Sequence, residues 1–270
     1  MRDEQLEEAA IAAHDRQRQL PADAQRALVG GLCAHLRGRS RCLDAGIGTG
    51  SLALPLVKAG IPLVGVDCSR AMLDVLRTKC GASAPIPLAQ GDLTRLPFRD
   101  GAFGAALAAN VFHLIADWRV AVAELVRVVR ADGLLLVNLG SGGQGTVHGA
   151  LILATFREFL GGAWPADADA VGPRDTAEFE ACVLGLGAAA LPPVEIRFRR
   201  SVTLDDAIAR LEHNPFARPS GIDDRVLSRA AAATRAWARE RFGPLDLPHP
   251  SEQVITHRIY RLPPPTAGMS

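Results

Sequence analysis

Eight residues follow one another in an order that can assemble a single ligand site. They are Asp44, Gly46, Gly48 and Gly50 in Leu43-Asp44-Ala45-Gly46-Ile47-Gly48-Thr49-Gly50, then Asp67, Asp92, and Asn110 with His113 in Asn110-Val111-Phe112-His113. Glycines at alternate positions let the backbone enter φ > 0 and approach a ligand closely, where a Cβ would obstruct it. Asp44 at the mouth of the loop suits a cationic or hydroxyl-bearing group better than a pyrophosphate. Asp67 lies 21 positions after Gly46 (67 minus 46), where an acidic residue accepts hydrogen bonds from ribose hydroxyls. Asp92, with apolar Leu93 beside it, could meet the amino group of an adenine. His113, an imidazole with an ordinary pKa near about 6.5, could take a proton from a hydroxyl or amine. A histidine here could equally pack and position a substrate, and both roles stand.

For these residues to meet, each must stand where a strand of one sheet ends. The hydrophobic pattern predicts strands over Arg41 to Ala45, Pro62 to Asp67, Pro85 to Gln90, Phe103 to Asn110 and Leu134 to Leu139. The third and fourth are too apolar to have a wet face, as in a sheet covered on both sides. Helices alternate with the strands: one from Ser51 to Lys58, one from Ser69 to Cys80 with Ser69 as N-cap, and one capped by Asp117 and closed by Gly133. Pro55 is harmless only in a first turn, so the first of these helices starts late or bends. The alternation predicts a doubly wound, parallel α/β sheet.

Two helices precede this core: an amphipathic one over Asp3 to Gln19, with acids first and Arg16 and Arg18 last, and a second over Asp23 to Leu36. His14, Arg16 and Arg18 are candidates to close over the site. After Gly140 come a glycine-rich bend, a helix over Thr146 to Leu160, a helix over Thr176 to Leu186, and strands over Val194 to Arg199 and Val254 to Leu262. Between those strands, Thr203 to Leu247 reads as a short helix, the turn His213-Asn214-Pro215-Phe216, and a long Ala/Arg-rich helix from Ile222 to Phe242. His213 to Phe216 and Trp237 are candidates for a substrate pocket or for plain core. The expected organisation is lid helices over 1–40, a cofactor core over 41–145, the remaining sheet over 146–262 with a helical cap at about 203–247, and a tail over 263–270.

A formal net charge of +1 on 270 residues leaves no electrostatic footprint for nucleic acid. The charged start, Met1-Arg2-Asp3-Glu4-Gln5, and the lack of a bilayer-length apolar run predict a cytoplasmic protein with no membrane segment. Five cysteines, Cys33, Cys42, Cys68, Cys80 and Cys182, form no C-x-x-C pair, so free thiols and no metal site are expected. The long Ala/Arg helix fits either a surface face or a subunit contact, for example in a homodimer.

Further segments extend the pattern: Val64-Gly65-Val66-Asp67 followed by Ser69 and Met72, Gly91-Asp92 followed by Leu96-Pro97-Phe98, Asp100-Gly101-Ala102-Phe103, and Glu124 to Gly133. Over roughly Arg41 to Leu139 the chain resembles the class I S-adenosylmethionine-dependent methyltransferases, in particular the small-molecule branch that includes the quinone-biosynthesis enzymes. The resemblance implies a Rossmann-like, mostly parallel seven-stranded sheet with helices on both faces. It implies S-adenosylmethionine as cofactor and a small organic molecule as methyl acceptor. Asp44, Gly46, Gly48 and Gly50 would hold its methionine part and Asp67 its ribose. Cys68, Met72, Asp92 and Leu93 would surround the adenine, with Asn110 near the sulfonium and His113 as the candidate catalytic base. Two departures stand out: Cys68 itself, where bulkier or more polar residues are frequent, and Ala131-Asp132-Gly133 in place of a proline-glycine turn. Two other readings are weighed. Gly46-x-Gly48-x-x-Ser51 nearly fits a nicotinamide-dinucleotide loop, against which Asp44 and Asp92 argue, and a binding motif by itself would also serve a non-catalytic sensor or scaffold.

Overall fold

A computed structural model describes residues 18–81, 86–140, 147–165, 171–213 and 221–264, together with Ile11 and Asp15. Ile11, Asp15 and Arg18 are helical, as the N-terminal pattern predicts; His14, Arg16, Pro85 and Asn214 to Phe216 lie outside the described residues. In chain order the elements are α1 (Ala22–Leu36), β1 (Cys42–Ala45), α2 (Ala53–Lys58), β2 (Leu63–Asp67), α3 (Arg70–Cys80), β3 (Leu88–Gln90), β4 (Phe103–Ala109), α4 (Trp118–Val128) and β5 (Val129–Asn138). There follow α5 (Val147–Leu160), α6 (Thr176–Gly185), β6 (Ala189–Val202), α7 (Leu204–His213), α8 (Asp224–Phe242) and β7 (His249–Arg261).

The seven strands form one sheet in the order β3-β2-β1-β4-β5-β7-β6. β1 pairs in parallel with β2 and β4, β2 with β3, and β4 with β5, whereas β7 runs antiparallel to β5. The order turns back between β1 and β4, the topological switch point at which open α/β sheets bind ligands. The Rossmann-like, mostly parallel sheet implied by the resemblance is thus present.

Its local causes are visible. Ser69 caps α3, its hydroxyl accepting from the Met72 amide at 3.3 Å. α2 begins at Ala53, which puts Pro55 in the first turn, where its missing N–H costs nothing. Leu43, Ala45, Val66, Ala106, Leu135 and Tyr260 meet α4 residues Val122 and Leu125 in one buried cluster, so apolar strands and helix faces account for one side of the sheet.

Four expectations need correction. Gly133 does not close α4: that helix ends at Val128, and Gly133 lies inside β5. A Cβ there would meet Val129 Cγ1 at 2.3 Å and the Arg130 carbonyl at 2.7 Å, and the neighbouring Asp132 adopts φ 58°. The β4–β5 register shifts here, and this crowded irregularity needs glycine for space rather than as a helix stop. Asp117 holds the N-cap position of α4 but makes no side-chain capping bond. β3 is only three residues long and half exposed because it is an edge strand. β6 extends from Ala189 through Pro192 and Pro193, which an edge strand tolerates because it has one unpaired side.

The chain divides into two compact units. One comprises residues 22–140, 170–196 and 255–270 and holds most of the sheet. The other comprises residues 1–21, 141–169 and 197–254, and its core joins Ile152 and Phe156 of α5 to Ile208 of α7 and Leu227, Ala230 and Ala231 of α8. Thr203 and Asp206 cap α7 reciprocally. Trp237 packs edge-on against Phe242 at 5.6 Å, so it serves this helical core.

In the sheet unit, Arg127 ties α4 to the segment that follows Asp92. Its guanidinium donates to Glu124, to Asp100 at 2.7 Å and to the Phe98 and Leu96 carbonyls, while Glu124 accepts from the Leu96 amide at 2.7 Å. These carboxylates hold Arg127 above the ordinary arginine range, with Glu124 the larger contributor. Arg127→Ala is expected to cost about 3 kcal/mol, since hydrogen bonds to charged groups contribute about 1.5–3 kcal/mol and two half-buried carbonyls lose their donors. Thermal unfolding checks this, and Arg127→Lys should recover only part, because an ammonium cannot reproduce the guanidinium fork.

Candidate active site

β1 places Asp44 in the middle of the sheet, paired with Gly65 of β2 on one side and Leu107 of β4 on the other. Only 4% of Asp44 is exposed. Burial, and then the nearby Asp67 carboxylate, push its pKa up to about 7. A carboxyl group in that setting favours a cationic ligand, which would relieve both the desolvation and the repulsion.

After Ala45 the chain turns sharply. The Gly46 and Ile47 amides both donate to the Val66 carbonyl, at 2.8 and 3.0 Å, and Gly46, Gly48 and Gly50 all have positive φ, at 74°, 53° and 79°. Space distinguishes their tasks. A Cβ on Gly46 would meet Val111 Cγ2 at 2.7 Å and one on Gly50 would meet Leu76 Cδ1 at 2.4 Å, whereas one on Gly48 meets nothing within 4 Å. Gly46 and Gly50 therefore pack against the protein, and Gly48 faces the open side of the loop. Gly65 joins this set: a Cβ there would strike Ile47 Cδ1 at 2.3 Å, so its absence seats the loop on β2. Its place in Val64-Gly65-Val66-Asp67 gives no local sign of this task, because the contact is with a loop on the neighbouring strand.

Asp67 ends β2 and secures the loop. Its Oδ2 accepts from the Gly48 amide at 2.8 Å and its Oδ1 from the Ser69 amide at 2.9 Å. Each oxygen keeps a second lone pair, which leaves acceptor capacity for hydroxyl donors. Cys68 beside it is exposed, its thiol pushed up by burial of the sulfur and by Asp67, while Met72 is buried. The Gly91 amide donates to the Asp67 carbonyl at 3.0 Å, so the third strand end is tied to the second. Asp92 is exposed and accepts from the Thr94 amide at 2.8 Å, and Leu93 beside it is buried.

Asn110 follows β4 with φ 56°, a left-handed conformation that asparagine tolerates better than most residues. Its amide donates to the Asn138 carbonyl at 2.7 Å at the end of β5. Val111, Phe112 and His113 then enter a 3-10 turn over Phe112–Leu114, where Phe112 is buried and His113 exposed. Gly172 (φ 87°) fits tightly against this turn, since a Cβ would meet the Phe112 carbonyl at 2.6 Å. Asn138 went unassigned in the sequence, although a polar residue closing the run Leu134-Leu135-Leu136-Val137 was a signal. It is 6% exposed, its side-chain oxygen accepts from the Gly140 amide at 3.1 Å, and its nitrogen donates to the Thr256 carbonyl at 2.8 Å.

The structure thus gathers the glycine loop, Asp67, Asp92 and Asn110 at successive carboxyl ends of β1, β2, β3 and β4, in the order expected. Residues 43–137 match the family described as the methyltransferase domain. The matched segment is the one that carries the loop and the strand-end residues. Curated relatives of similar sequence are demethylmenaquinone methyltransferases. That of Mycolicibacterium gilvum is 34% identical over 137 residues, covering 51% of this chain and 56% of its own length. That of Thermus thermophilus is 40% identical over 100 residues, covering 36% and 46%. The chain spans about half the length of the curated relatives it matches.

Among solved structures, one described as a type II methyltransferase from Anaeromyxobacter dehalogenans aligns with TM-score 0.59 and 21% identity over 88% of this chain and 97% of its own. The 4+2 cyclase SpnF aligns with TM-score 0.53 and 19% identity over 89% and 82%. These likenesses establish the Rossmann-like fold alone, and the second shows that the fold also carries a cyclase, so chemistry has to be argued from the site. Among the described residues no cluster of three or more His, Cys, Asp or Glu could hold a metal ion, and no helix is long and apolar enough to cross a membrane.

Proposed function

We propose that this chain transfers the methyl group of S-adenosylmethionine to a small organic acceptor, releasing S-adenosylhomocysteine. The observation that carries the reading is the buried Asp44 carboxyl, raised to about 7 beside Asp67 and at the mouth of the glycine loop. A pyrophosphate would add negative charge to two carboxylates, whereas an ammonium and a sulfonium would satisfy them. The cofactor supplies an electrophilic methyl group on a positively charged sulfur. The chain's own residues do the rest: Asp44 and the loop backbone bind the amino-acid end, Asp67 accepts from the ribose hydroxyls, and Asp92 with Leu93, Cys68 and Met72 frames the adenine. Asn110, fixed in its left-handed turn, orients the reacting end. Methyl transfer gains chiefly from such alignment.

His113, exposed on the turn after Asn110, is the candidate proton acceptor for the acceptor's hydroxyl or amine. His113→Ala is expected to lower kcat at least about 100-fold, the lower range of general-base contributions, with unchanged S-adenosylmethionine affinity. Turnover within a few-fold of wild type would assign His113 to packing instead. The demethylmenaquinone methyltransferases among the relatives make quinone-like acceptors the first to screen. The test of the proposal is S-adenosylhomocysteine release across quinols, phenols, amines and carboxylates. Release with at least one class is expected; tight cofactor binding with no release on any acceptor would favour a sensor.

A further inference from the structure

Beyond the cofactor residues, the carboxyl edge of the sheet carries a second set of polar groups on β4, β5 and β7. Asn110 Oδ1 lies against Gly140, where a Cβ would approach it to 3.0 Å. The Gly140 amide donates to Asn138 Oδ1, and Asn138 Nδ2 donates to the Thr256 carbonyl on β7. The next residue is His257. It is only 3% exposed, and among the described residues neither Nδ1 nor Nε2 has a hydrogen-bond partner. Buried polar atoms without partners are rare in folded proteins, and each asks for an explanation.

The pleat indicates where the imidazole stands. Leu136 pairs with Ile259 of β7 and with Leu107 of β4, which pairs in turn with Asp44. These residues share one face of the sheet, and His257, two positions from Ile259, falls on that same face. Tyr260 belongs to the opposite face, in the cluster with Phe179 and Val122. His257 therefore stands one step nearer the carboxyl edge than the row that contains Asp44, beyond Asn138 on the side of β4 and β5 away from β2.

Resting on the methyltransferase reading above, we propose that His257 is a specificity-determining residue that hydrogen-bonds a neutral hydroxyl or carbonyl oxygen of the methyl acceptor, with Asn138 fixing the strand that carries it. Burial lowers the imidazole pKa to about 4, so the ring is neutral near pH 7 and presents one donor and one acceptor. A neutral oxygenated ring matches that pair; a carboxylate would leave the ring's acceptor nitrogen unanswered.

The test uses the full chain saturated with S-adenosylhomocysteine and two probes of like shape, 1-naphthol and naphthalene, titrated by calorimetry. Wild type is expected to bind 1-naphthol at least about tenfold more tightly than naphthalene, and His257→Phe to bring the two within about twofold by losing 1-naphthol affinity alone. His257→Gln should restore most of the preference. His257→Phe removes two unpartnered buried atoms and should unfold no earlier than wild type; His257→Leu replaces it if it does not fold. An equal preference in wild type and His257→Phe, no preference in wild type, or no binding of either probe would overturn the proposal. Failure to bind S-adenosylhomocysteine would overturn the methyltransferase reading and with it the ligand's role as methyl acceptor, whereas the same titrations on unloaded protein report separately on whether His257 recognises the hydroxyl.

Discussion

Asp44→Asn is expected to weaken cofactor binding about 100-fold or more while making the empty protein more stable at pH 8. Both outcomes come from one buried carboxyl. Its folded pKa, about 7, lies above the ordinary 3.8, so the folded protein keeps a proton that the unfolded chain loses as pH rises through that window. Stability contributed at this site therefore falls between about pH 4 and pH 7 and levels off above. An asparagine of nearly the same shape carries no such penalty. The gain at pH 8 is on the order of 2–4 kcal/mol, or about 5–10 °C in Tm for a chain of this size, and it should vanish at pH 4. Cofactor affinity moves the other way, since a neutral amide attracts an ammonium far less; a loss of about 100-fold or more is expected. Unfolding and titration at two pH values check both halves. A destabilised Asp44→Asn with intact binding would mean that Asp44 is structural.

Asp67→Ala is the second large effect. Its carboxylate accepts from the Gly48 and Ser69 amides, so removal frees the glycine loop at its centre and strips the acceptor proposed for ribose hydroxyls. A stability loss of about 2 kcal/mol is expected, because the freed amides stand where water can reach them. The KM for S-adenosylmethionine should rise about 50–100-fold with kcat within a few-fold, the signature of lost binding energy shared by ground and transition states. Asp67→Asn should fall between, because its single oxygen can serve only one of the two amides fully. Kinetics at saturating acceptor separate these cases.

The strand-end half of the candidate site is legible in the sequence because its determinants are local. The loop, Asp67, Gly91-Asp92 and Asn110 each sit within a few residues of a strand end, and strand ends follow from short apolar runs and turn residues. The parallel sheet was legible from alternation alone. The other half of the carboxyl edge was not. Asn138 and Thr256 are 118 residues apart, and the insertion of β7 between β5 and β6 is a pairing that no periodicity encodes. His257 thus looked like an ordinary residue of a terminal strand. Gly133 departs from expectation because glycine signals both a helix stop and a crowded strand irregularity, and only the close approach of Val129 and Arg130 distinguishes them. β6 is longer than its sequence suggests because two prolines argue against a strand unless it lies on an edge.

The central claim is that the carboxylate-lined glycine loop holds a cationic nucleoside cofactor. Calorimetric titration of wild type with S-adenosylmethionine and with NAD, at pH 6 and pH 8 in buffers of different ionisation enthalpy, tests it most directly. The account predicts one site of about micromolar Kd for S-adenosylmethionine at pH 8. At pH 6 binding should be weaker by up to about tenfold and release close to one proton, because Asp44 must ionise to meet the cation. NAD should not bind. Binding of NAD in place of S-adenosylmethionine, or S-adenosylmethionine binding at pH 6 with no proton released, would contradict the account.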